Sequence, residues 1–162
     1  MTVTHAIYSA GPEDAGQLTE LALRSKAHWG YSKAFIDSCR GELTVTSGDI
    51  ESDEIDYLLA KSGATILGFY ALNKIKDLEY ELEALFVEPA YIGTGLGRSL
   101  MAHATNTARL AGGRKMVIQG DPHATDFYLT MGARLIGERD SGSVAGRRLP
   151  LFVIDLIAKD QA

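Results

Sequence analysis

The sequence predicts an α/β fold of the α+β kind, with a mixed, mostly antiparallel central sheet and helices on both faces. Two observations support this prediction. Three strand-like segments follow one another in the middle of the chain without a helix between them, which indicates an antiparallel meander. A strand, a glycine-rich turn, a long helix and another strand come next, and that order is typical of a parallel βαβ unit.

The first part of the chain predicts one strand and two helices. Val3–Tyr8 is rich in residues that favour strands. Pro12 suits the first position of a helix and is followed by acidic residues, so a helix is expected from there to about Ala27. After a break, Ser32 is a suitable cap for a second, shorter helix that ends near Gly41.

The meander consists of three predicted strands, at Ile55–Ala60, Ala64–Leu72 and Leu78–Val87. The turn between the first two contains Gly63, a residue typical of tight hairpin turns. Pro89 follows the end of the third strand. Because the meander is antiparallel and the βαβ unit after it adds a parallel pair, the sheet is expected to be mixed.

The second half of the chain predicts two helices and three strands. Apolar residues mark one face of a long helix from Leu96 to Ala111, which Gly112 ends. Asp121 is a suitable cap and Pro122 a suitable first residue for a second helix, and Gly132 is a suitable residue just past its end. The remaining strands are expected at Lys115–Gln119, Ala133–Gly137 and Leu149–Ile157, with a polar loop at Asp140–Arg148.

Length and composition indicate one ordinary domain over residues 1–162. The chain has 46% hydrophobic and 23% charged residues, which is normal for a globular protein and argues against wholesale disorder. Its apolar runs are far shorter than the ~18 residues of a membrane span, and the N-terminus does not have the pattern of a signal peptide. We therefore expect no membrane partner.

Charge and cysteine content narrow the function further. Sixteen basic and 21 acidic residues give a net charge of −5, which does not attract a nucleic-acid backbone. The single cysteine, Cys39, cannot form an internal disulfide, which fits a cytoplasmic protein, and it excludes zinc sites built from several cysteines. The four histidines stand far apart in the sequence, so no metal site is predicted.

The most informative segment is the glycine-rich turn before the long helix. Gly93, Gly95 and Gly97 alternate there, after a strand and at the start of a helix. Glycines let a ligand approach the backbone closely, and the first amides of a helix lack partners and carry partial positive charge. This combination predicts a phosphate or pyrophosphate site, with a ligand-free tight turn as the alternative. The spacing fits neither the Walker loop nor the dinucleotide fingerprint, which argues against a flavin or nicotinamide oxidoreductase.

Two segments carry a resemblance to a known family. The first joins Leu85-Phe86-Val87-Glu88-Pro89 to a turn that ends in Gly95-Leu96-Gly97 and to a helix that opens with Leu96-x-x-x-Leu100. The second is Ala124-x-x-Phe127-Tyr128-x-x-Met131-Gly132-Ala133. The pair resembles motif A and the later helix of the GNAT superfamily, the acyl-CoA-dependent N-acyltransferases, and the element order is similar along nearly the whole chain. Ile92 departs from the family pattern, which usually has Gln or Arg at a position that contributes mainly a backbone N–H.

The resemblance implies acetyl-CoA as a cosubstrate and no metal. In that family the strand before the turn separates from its neighbour, and its backbone pairs with the pantetheine arm of coenzyme A. The amides of the turn and of the helix start bind the pyrophosphate. Carried onto this sequence, the coenzyme-binding residues are Leu85, Phe86, Val87, Ile92, Gly93, Thr94, Gly95, Leu96, Gly97, Arg98 and Ser99.

The resemblance also implies that Tyr128 is the general acid of the reaction. It matches a tyrosine that often faces the coenzyme sulfur in the family, and a phenol with a pKa of ~10 suits the protonation of a leaving thiolate. The alternative is a core aromatic residue, because Tyr128 shares a helix face with Ala124 and Met131.

The candidate bases lie on the third strand of the meander. Glu79, Glu81 and Glu83 alternate, and are therefore expected on one face together with Leu85 and Val87. Repulsion between neighbouring carboxylates and their partial burial should raise the pKa of at least one. By the resemblance, Glu81 and Glu83 lie nearest the thioester. Three alternatives stay open: the carboxylates draw in a cationic amine, they form a solvated acidic face, or a water chain accepts the proton.

The acceptor is expected at the break between the first two helices. His28, Trp29 and Tyr31 stand there, and aromatic rings in a loop can stack on a substrate or hold an amine by cation–π attraction. A packed helix corner is the alternative, and His28 is a further candidate base. Arg147 and Arg148 are expected to be surface charges, with recognition of an acidic substrate group as the alternative.

The resemblance implies the function of an N-acetyltransferase: direct transfer of an acetyl group from acetyl-CoA to a primary amine of a small-molecule or peptide acceptor. A non-catalytic acyl-CoA sensor of the same fold is the alternative function. No nucleic-acid partner is expected. The apolar run Leu149–Ile157 leaves a homodimer open.

Overall fold

The computed structural model describes residues 4–157. Seven strands and five α-helices follow one another in this part of the chain. In chain order they are β1 (Ala6–Ser9), α1 (Ala15–Ala27), α2 (Lys33–Leu43), α3 (Ser47–Glu51), β2 (Ile55–Ser62), β3 (Thr65–Lys76), β4 (Glu79–Val87), α4 (Leu96–Leu110), β5 (Lys115–Gln119), α5 (Thr125–Thr130), β6 (Arg134–Asp140) and β7 (Arg148–Asp155). A short 3₁₀ turn precedes each of three helices: Pro12–Asp14 precedes α1, Pro89–Tyr91 precedes α4, and Pro122–Ala124 precedes α5.

The strands form one sheet in the order β1-β2-β3-β4-β5-β7-β6. Strands β1 to β4 are antiparallel neighbours, and β7 lies antiparallel between β5 and β6. The parallel pair is β4 with β5, because α4 carries the chain across the sheet between them. The expected mixed, mostly antiparallel sheet is thereby confirmed.

Helices pack on both faces of the sheet, as expected. On one face, α4 places Leu100 and Ala104 in the core that contains Tyr70 of β3. On the other face, Leu18 of α1 belongs to the core that contains Phe69. Phe69 and Tyr70 are neighbours in β3 and point to opposite faces, so both apolar sides of this central strand are covered.

The predicted element order is confirmed, with one short helix missed and several boundaries moved. Helix α3 has five residues and is capped by the Thr46 hydroxyl, which accepts a hydrogen bond from the Asp49 amide. A helix of this length is too short to show a helical period in the sequence. Strand β3 continues beyond its predicted end to Lys76, and β1 begins at Ala6. Val3, the expected first residue of that strand, lies outside the described residues.

Within residues 4–157, no helix is long and apolar enough to cross a membrane. The same residues contain no group of three or more His, Cys, Asp or Glu side chains placed to hold a metal ion. Cys39 is a buried free thiol on α2.

Candidate active site

The two central strands separate in the middle of the sheet. Strand β4 pairs with β5 only from Glu79 to Leu82, opposite Lys115 to Ile118. From there β4 continues to Val87 alongside β3, whereas β5 ends at Gln119. The gap is part of a cavity of about 640 Å³, lined by β4, the N-terminus of α4, the β5–α5 segment, helices α1 and α2, and the loop between β6 and β7. The chain therefore opens its sheet where the resemblance implies the pantetheine arm.

A β-bulge at Glu83 changes the direction of the side chains in β4. Ala84 pairs with Ala71 of β3, and Leu82 pairs with Leu72, the next residue of β3. Glu83 is therefore an extra residue on β4. An extra residue shifts the inward and outward alternation of a strand by one position.

The bulge overturns the expectation that the three glutamates share a face with Leu85 and Val87. Leu82 lies in the core on the α4 side, and so do Leu85 and Val87. An unbroken strand would place Leu82 on the face opposite to Leu85 and Val87. Glu81, next to Leu82, therefore points to the other face, which is covered by α1 and carries Phe86. This turns Glu81 towards the side of the sheet on which α1 and α2 lie.

Glu81 and Glu83 line the same cavity but differ in their surroundings. The pKa of Glu81 lies above its ordinary value, mainly because the carboxylate is partly buried. The positive charge of Arg139, whose Nη1 atom lies 3.5 Å from both carboxylate oxygens, lowers this pKa, and the negative charge of Glu83 raises it. Glu83 is exposed, and its Oε1 atom accepts a hydrogen bond of 3.1 Å from the amide of Asn73. The expectation that at least one of these carboxylates has a raised pKa is confirmed for Glu81.

Tyr128 combines a buried ring with a hydroxyl that is not fully buried. Its side chain is 7% exposed, and its ring packs against Phe127 and Phe152 at centroid distances of 5.2 and 5.4 Å. The hydroxyl has no hydrogen-bond partner among residues 4–157, and it is not fully buried, because every fully buried polar side-chain atom there has a partner. The residue lines the cavity. Burial raises the pKa of Tyr128, and the negative charge of Asp121 raises it further.

The N-terminus of α4 presents a row of free backbone amides. Gly95 is the N-cap of the helix, has a φ of +90°, and offers no side chain to its first amides; Gly93 has a φ of +86°. A Cβ atom at either glycine would meet nothing within 4 Å, so the backbone here is open to a ligand. Within residues 93–99, five amides have no hydrogen-bond partner among the described residues, those of Gly93, Gly95, Leu96, Gly97 and Arg98.

The structure places eight of the eleven expected coenzyme-binding residues in the cavity wall. They are Leu85, Phe86, Val87, Ile92, Gly93, Gly95, Gly97 and Arg98. The other three have different surroundings. Thr94 uses both its amide and its hydroxyl as donors to the Tyr91 carbonyl, Leu96 is buried in the core, and the Ser99 hydroxyl lies 3.0 Å from Nε2 of His5. The Ser99 amide donates to Gly95, so neither group of Ser99 is directed at the cavity.

Of the three expected acceptor residues, Trp29 lines the cavity. Its ring stacks on that of His123, with a centroid distance of 5.4 Å and an interplanar angle of 7°. His28 touches Trp29 edge-on at 5.2 Å but does not reach the cavity wall. Tyr31 also stands outside the wall, where its ring meets His123 edge-on at 5.3 Å. The break between α1 and α2 therefore brings one of its aromatic rings to the cavity.

A cluster centred on Asp121 joins four segments of the chain at this end of the cavity. The Tyr31 hydroxyl donates to Asp121 at 2.8 Å, Nζ of Lys26 lies 3.2 Å from the same carboxylate, and Nδ1 of His123 lies 2.9 Å from it. Arg147 donates to the Tyr31 hydroxyl at 2.7 Å. Burial alone would raise the pKa of Asp121, but hydrogen bonds from His123 and Tyr31 and the charge of Lys26 outweigh it, and the pKa lies below its ordinary value.

The sequence missed this cluster. It identified Asp121 as a helix cap, which is confirmed because Asp121 accepts from the amide of His123, but gave it no further role. The expectation that Arg147 is a surface charge is wrong: its side chain is 20% exposed and lines the cavity. Arg148 is the surface residue, 55% exposed and paired with Asp140. One signal was available, since Asp121 follows the end of a β-strand, where the crevices of open α/β sheets lie.

Comparison with known proteins agrees with this architecture. The model of the acetyltransferase (GNAT) family matches residues 19–133. The N-alpha-acetyltransferase RimI of Mycobacterium tuberculosis (strain ATCC 25618 / H37Rv) is 29% identical over 94 residues, which are 56% of this chain and 60% of that protein. The match thus spans about three fifths of that relative's length.

Solved structures share the fold. The paia N-acetyltransferase from Thermoplasma acidophilum, in complex with coenzyme A, superposes with a TM-score of 0.78 at 21% identity, covering 94% of this chain and 99% of that one. The ribosomal-protein-S18-alanine N-acetyltransferase from Escherichia coli gives a TM-score of 0.71 at 17% identity, with coverage of 98% and 99%. The match to the family model covers more than half of the described chain, and this protein belongs to the GNAT acetyltransferase family.

Proposed function

We propose that this protein transfers an acetyl group from acetyl-CoA directly to a primary amine of a small-molecule or peptide acceptor. The observation that carries the proposal is the row of five free amides at the start of α4, which stands beside the opening between β4 and β5. Tyr128 and Glu81 lie in the wall of the same cavity. Anion binding, a slot for an extended arm and two proton-transfer groups therefore occur in one place.

The residues at the coenzyme end fit a pyrophosphate and a pantetheine arm. Free amides at a helix N-terminus donate to phosphate oxygens, and the partial positive charge there favours an anion. The open backbone at Gly93 and Gly95 leaves room for such a group. Beyond Leu82, the edge of β4 that faces away from β3 has no strand partner in the part of the chain that the structure describes, so its backbone groups are available to a ligand in the manner of an added strand.

The side chains of the cavity supply the proton transfers that the reaction needs. Acetyl-CoA supplies an acetyl group activated as a thioester. Glu81 accepts the proton that the amine loses as its nitrogen bonds to the acetyl carbon, and Tyr128 donates a proton to the sulfur as the carbon–sulfur bond breaks. The raised pKa of Glu81 makes it a stronger base than an ordinary glutamate. Tyr128 carries its proton at neutral pH, and its raised pKa makes it a weaker acid than an ordinary phenol. Glu83 adds negative charge that draws in a cationic amine, which releases one proton to solvent before its neutral nitrogen attacks the acetyl carbon.

Two measurements test the proposal. Isothermal titration calorimetry with acetyl-CoA is expected to show one site per chain. Thiol release is then followed with a panel of primary amines, and at least one amine is expected to accelerate release above the rate of spontaneous hydrolysis. Coenzyme binding without release on any amine would indicate the non-catalytic sensor instead, and no binding of acetyl-CoA would overturn both functions.

We also propose a homodimer and a cytoplasmic location. The buried free thiol of Cys39 supports the location, because a reducing compartment keeps it unpaired. The run Leu149–Ile157 lies mostly in β7, between β5 and β6, and does not offer a free edge for a partner. The edge strand β6 does, and it exposes Leu135 and Ile136 by 55% and 50%. Sedimentation equilibrium is expected to give the mass of two chains, and a monomer at all concentrations would contradict the dimer.

A further inference from the structure

The Asp121 cluster contains more positive than negative charge. Lys26 and Arg147 both lie against the one carboxylate of Asp121, with nitrogen–oxygen distances of 3.2 and 3.8 Å. The three side chains are only 14%, 20% and 15% exposed. No other carboxylate of the described residues lies within 4 Å of either cation. Two cations and one anion leave one unit of positive charge in a mostly buried place.

The aromatic neighbours do not supply the missing negative charge. Tyr31 is hydrogen-bonded in the cluster, and burial, with the hydrogen bond to Asp121, raises its pKa to about 12, so the phenol stays neutral. The Arg147 guanidinium lies 4.8 Å from the ring centroid of Phe35, and Nζ of Lys26 lies 5.4 Å from that of Tyr31. These ring faces attract a cation but carry no net charge.

The excess charge faces the cavity. Lys26, Asp121 and Arg147 all belong to the cavity wall. Arg147 meets Tyr31 and Asp121 through Nη2, so its Nη1 and Nε donors have no hydrogen-bond partner among residues 4–157. A partly buried cation is stabilised by an anion, and a guanidinium with free donors suits the two oxygens of a carboxylate.

Another part of the same cavity wall is acidic. Glu81 and Glu83 stand there with one cation, Arg139, whose Nη1 atom lies 3.5 Å from Glu81 and 3.4 Å from Gln119, so this group has one unit of excess negative charge. Asp121 follows Gln119 by two residues, a chain distance of at most about 7 Å. The same cavity wall thus carries an excess carboxylate and an excess cation, connected through Arg139, Gln119 and the two residues that follow it.

We propose that the acceptor is a zwitterion, an amine that also bears a carboxylate, and that this carboxylate binds at Lys26 and Arg147 while the amine faces Glu81 and Glu83. Free amino acids and short peptides have this chemistry. The inference rests on the proposed acetyl transfer and specifies its acceptor. The coenzyme phosphates have their own site at α4, so the cation pair is left for the acceptor.

The test compares each acid with its neutral counterpart. A panel of ω-amino carboxylates, α-amino acids and glycine peptides is assayed beside the corresponding carboxamides, and the ratio of kcat/KM for acid over amide is the readout. We expect the parent protein to prefer the acids by about 10- to 100-fold, the value of one charge-assisted bidentate contact. The length series and the peptide arm show which separation of amine and carboxylate fits.

Arg147→Gln is expected to lower that ratio by at least about 10-fold, because the change removes a charge that only the acids use. Arg148→Gln is the matched control, since the neighbouring arginine pairs with Asp140 at the surface; its ratio should equal that of the parent. If the Arg147 variant loosens its loop, Lys26→Gln on α1 tests the same charge from another element, and Arg147→Lys should restore part of the preference.

Binding separates this inference from the proposed function. The acids of the panel are titrated by calorimetry into protein saturated with coenzyme A, which carries no acetyl group to transfer. Binding of an acid that weakens in Arg147→Gln supports the carboxylate site even if turnover is absent, and absent turnover would overturn the acetyl transfer alone. The zwitterionic acceptor would be overturned if acids and amides had equal kcat/KM and equal affinity. It would also be overturned if the ratio of kcat/KM for acid over amide were unchanged in both Arg147→Gln and Lys26→Gln.

Discussion

The N-terminus of α4 and the Asp121 cluster stand at the cavity and are built by different means. The first is made of backbone groups close together in the chain, with Gly93 and Gly95 at positive φ and five amides that have no partner among residues 4–157. The second is made of side chains from four segments, and its hydrogen bonds join residues as far apart as Tyr31 and Arg147. Backbone groups suit the recognition of the coenzyme, which is the same in every reaction. Side chains can differ from protein to protein and so suit the recognition of a particular acceptor.

Replacing a glycine at the start of α4 should have the largest effect. In Gly95→Val, a branched side chain is forced into a left-handed backbone position, which costs about 1–2 kcal/mol of strain and tilts the free amides away from the phosphates. We expect acetyl-CoA affinity, measured by calorimetry, to fall at least about 100-fold, the loss of one or two charge-assisted hydrogen bonds.

Gly112→Val is the control for that change. Gly112 ends the same helix with a φ of +94° and open space around it, but it does not line the cavity. Its replacement should cost similar thermal stability and leave coenzyme affinity at the parent value. Equal losses of affinity in both variants would show that strain, and not the amide row, controls binding.

Tyr128→Phe should lower kcat by about 100-fold, the lower range for one proton-transfer group, with little change in acetyl-CoA affinity. Tyr70→Phe is the matched variant, because Tyr70 is a buried tyrosine of the same core that lies outside the cavity wall. Its hydroxyl lies 2.8 Å from Nδ1 of His103, so we expect a loss of about 1 kcal/mol in the free energy of unfolding and a normal kcat. If Tyr128→Phe turned over as fast as the parent, its role as the acid would be lost.

The pH profile tests Glu81. A base works only when deprotonated, so kcat/KM should fall as the pH drops through the pKa of Glu81, which lies above the ordinary value for a glutamate. Arg139 holds that pKa down, so Arg139→Gln should move the acidic limb to higher pH. Arg134→Gln is the control, because Arg134 lies on β6 like Arg139 but pairs at the surface with Asp155. This change should leave the acidic limb in place. A limb that persists unchanged in Glu81→Gln would assign the proton to another group.

The smallest expected effect concerns the aromatic wall of the acceptor end. Trp29→Ala should raise the KM for the acceptor by about 2- to 10-fold, which is what a lost aromatic stack is worth. His28→Ala removes the neighbouring ring, which does not line the cavity, and should change this KM by less than the tryptophan variant does. The reverse order would place the acceptor on the other side of the α1–α2 break.

The two regions also differ in how well the sequence predicts them. Gly93, Gly95 and Gly97 lie close together in the chain, and their effect depends on local backbone geometry, so the pattern indicated the open turn and the helix start directly. The bulge at Glu83 depends on the register between β3 and β4, which an alternating strand pattern does not contain, and the face of Glu81 was therefore predicted wrongly. Arg147 meets Tyr31 across more than a hundred residues, so its position follows from the tertiary fold alone.

The most direct test of the coenzyme site is a titration of isotopically labelled protein with acetyl-CoA, followed by the amide resonances of the chain. The account predicts that the largest shifts fall on the five free amides at the start of α4, those of Gly93, Gly95, Leu96, Gly97 and Arg98. The amide of Gly112, at the far end of the same helix, should stay in place. Saturable binding that leaves those five resonances unmoved would contradict the account.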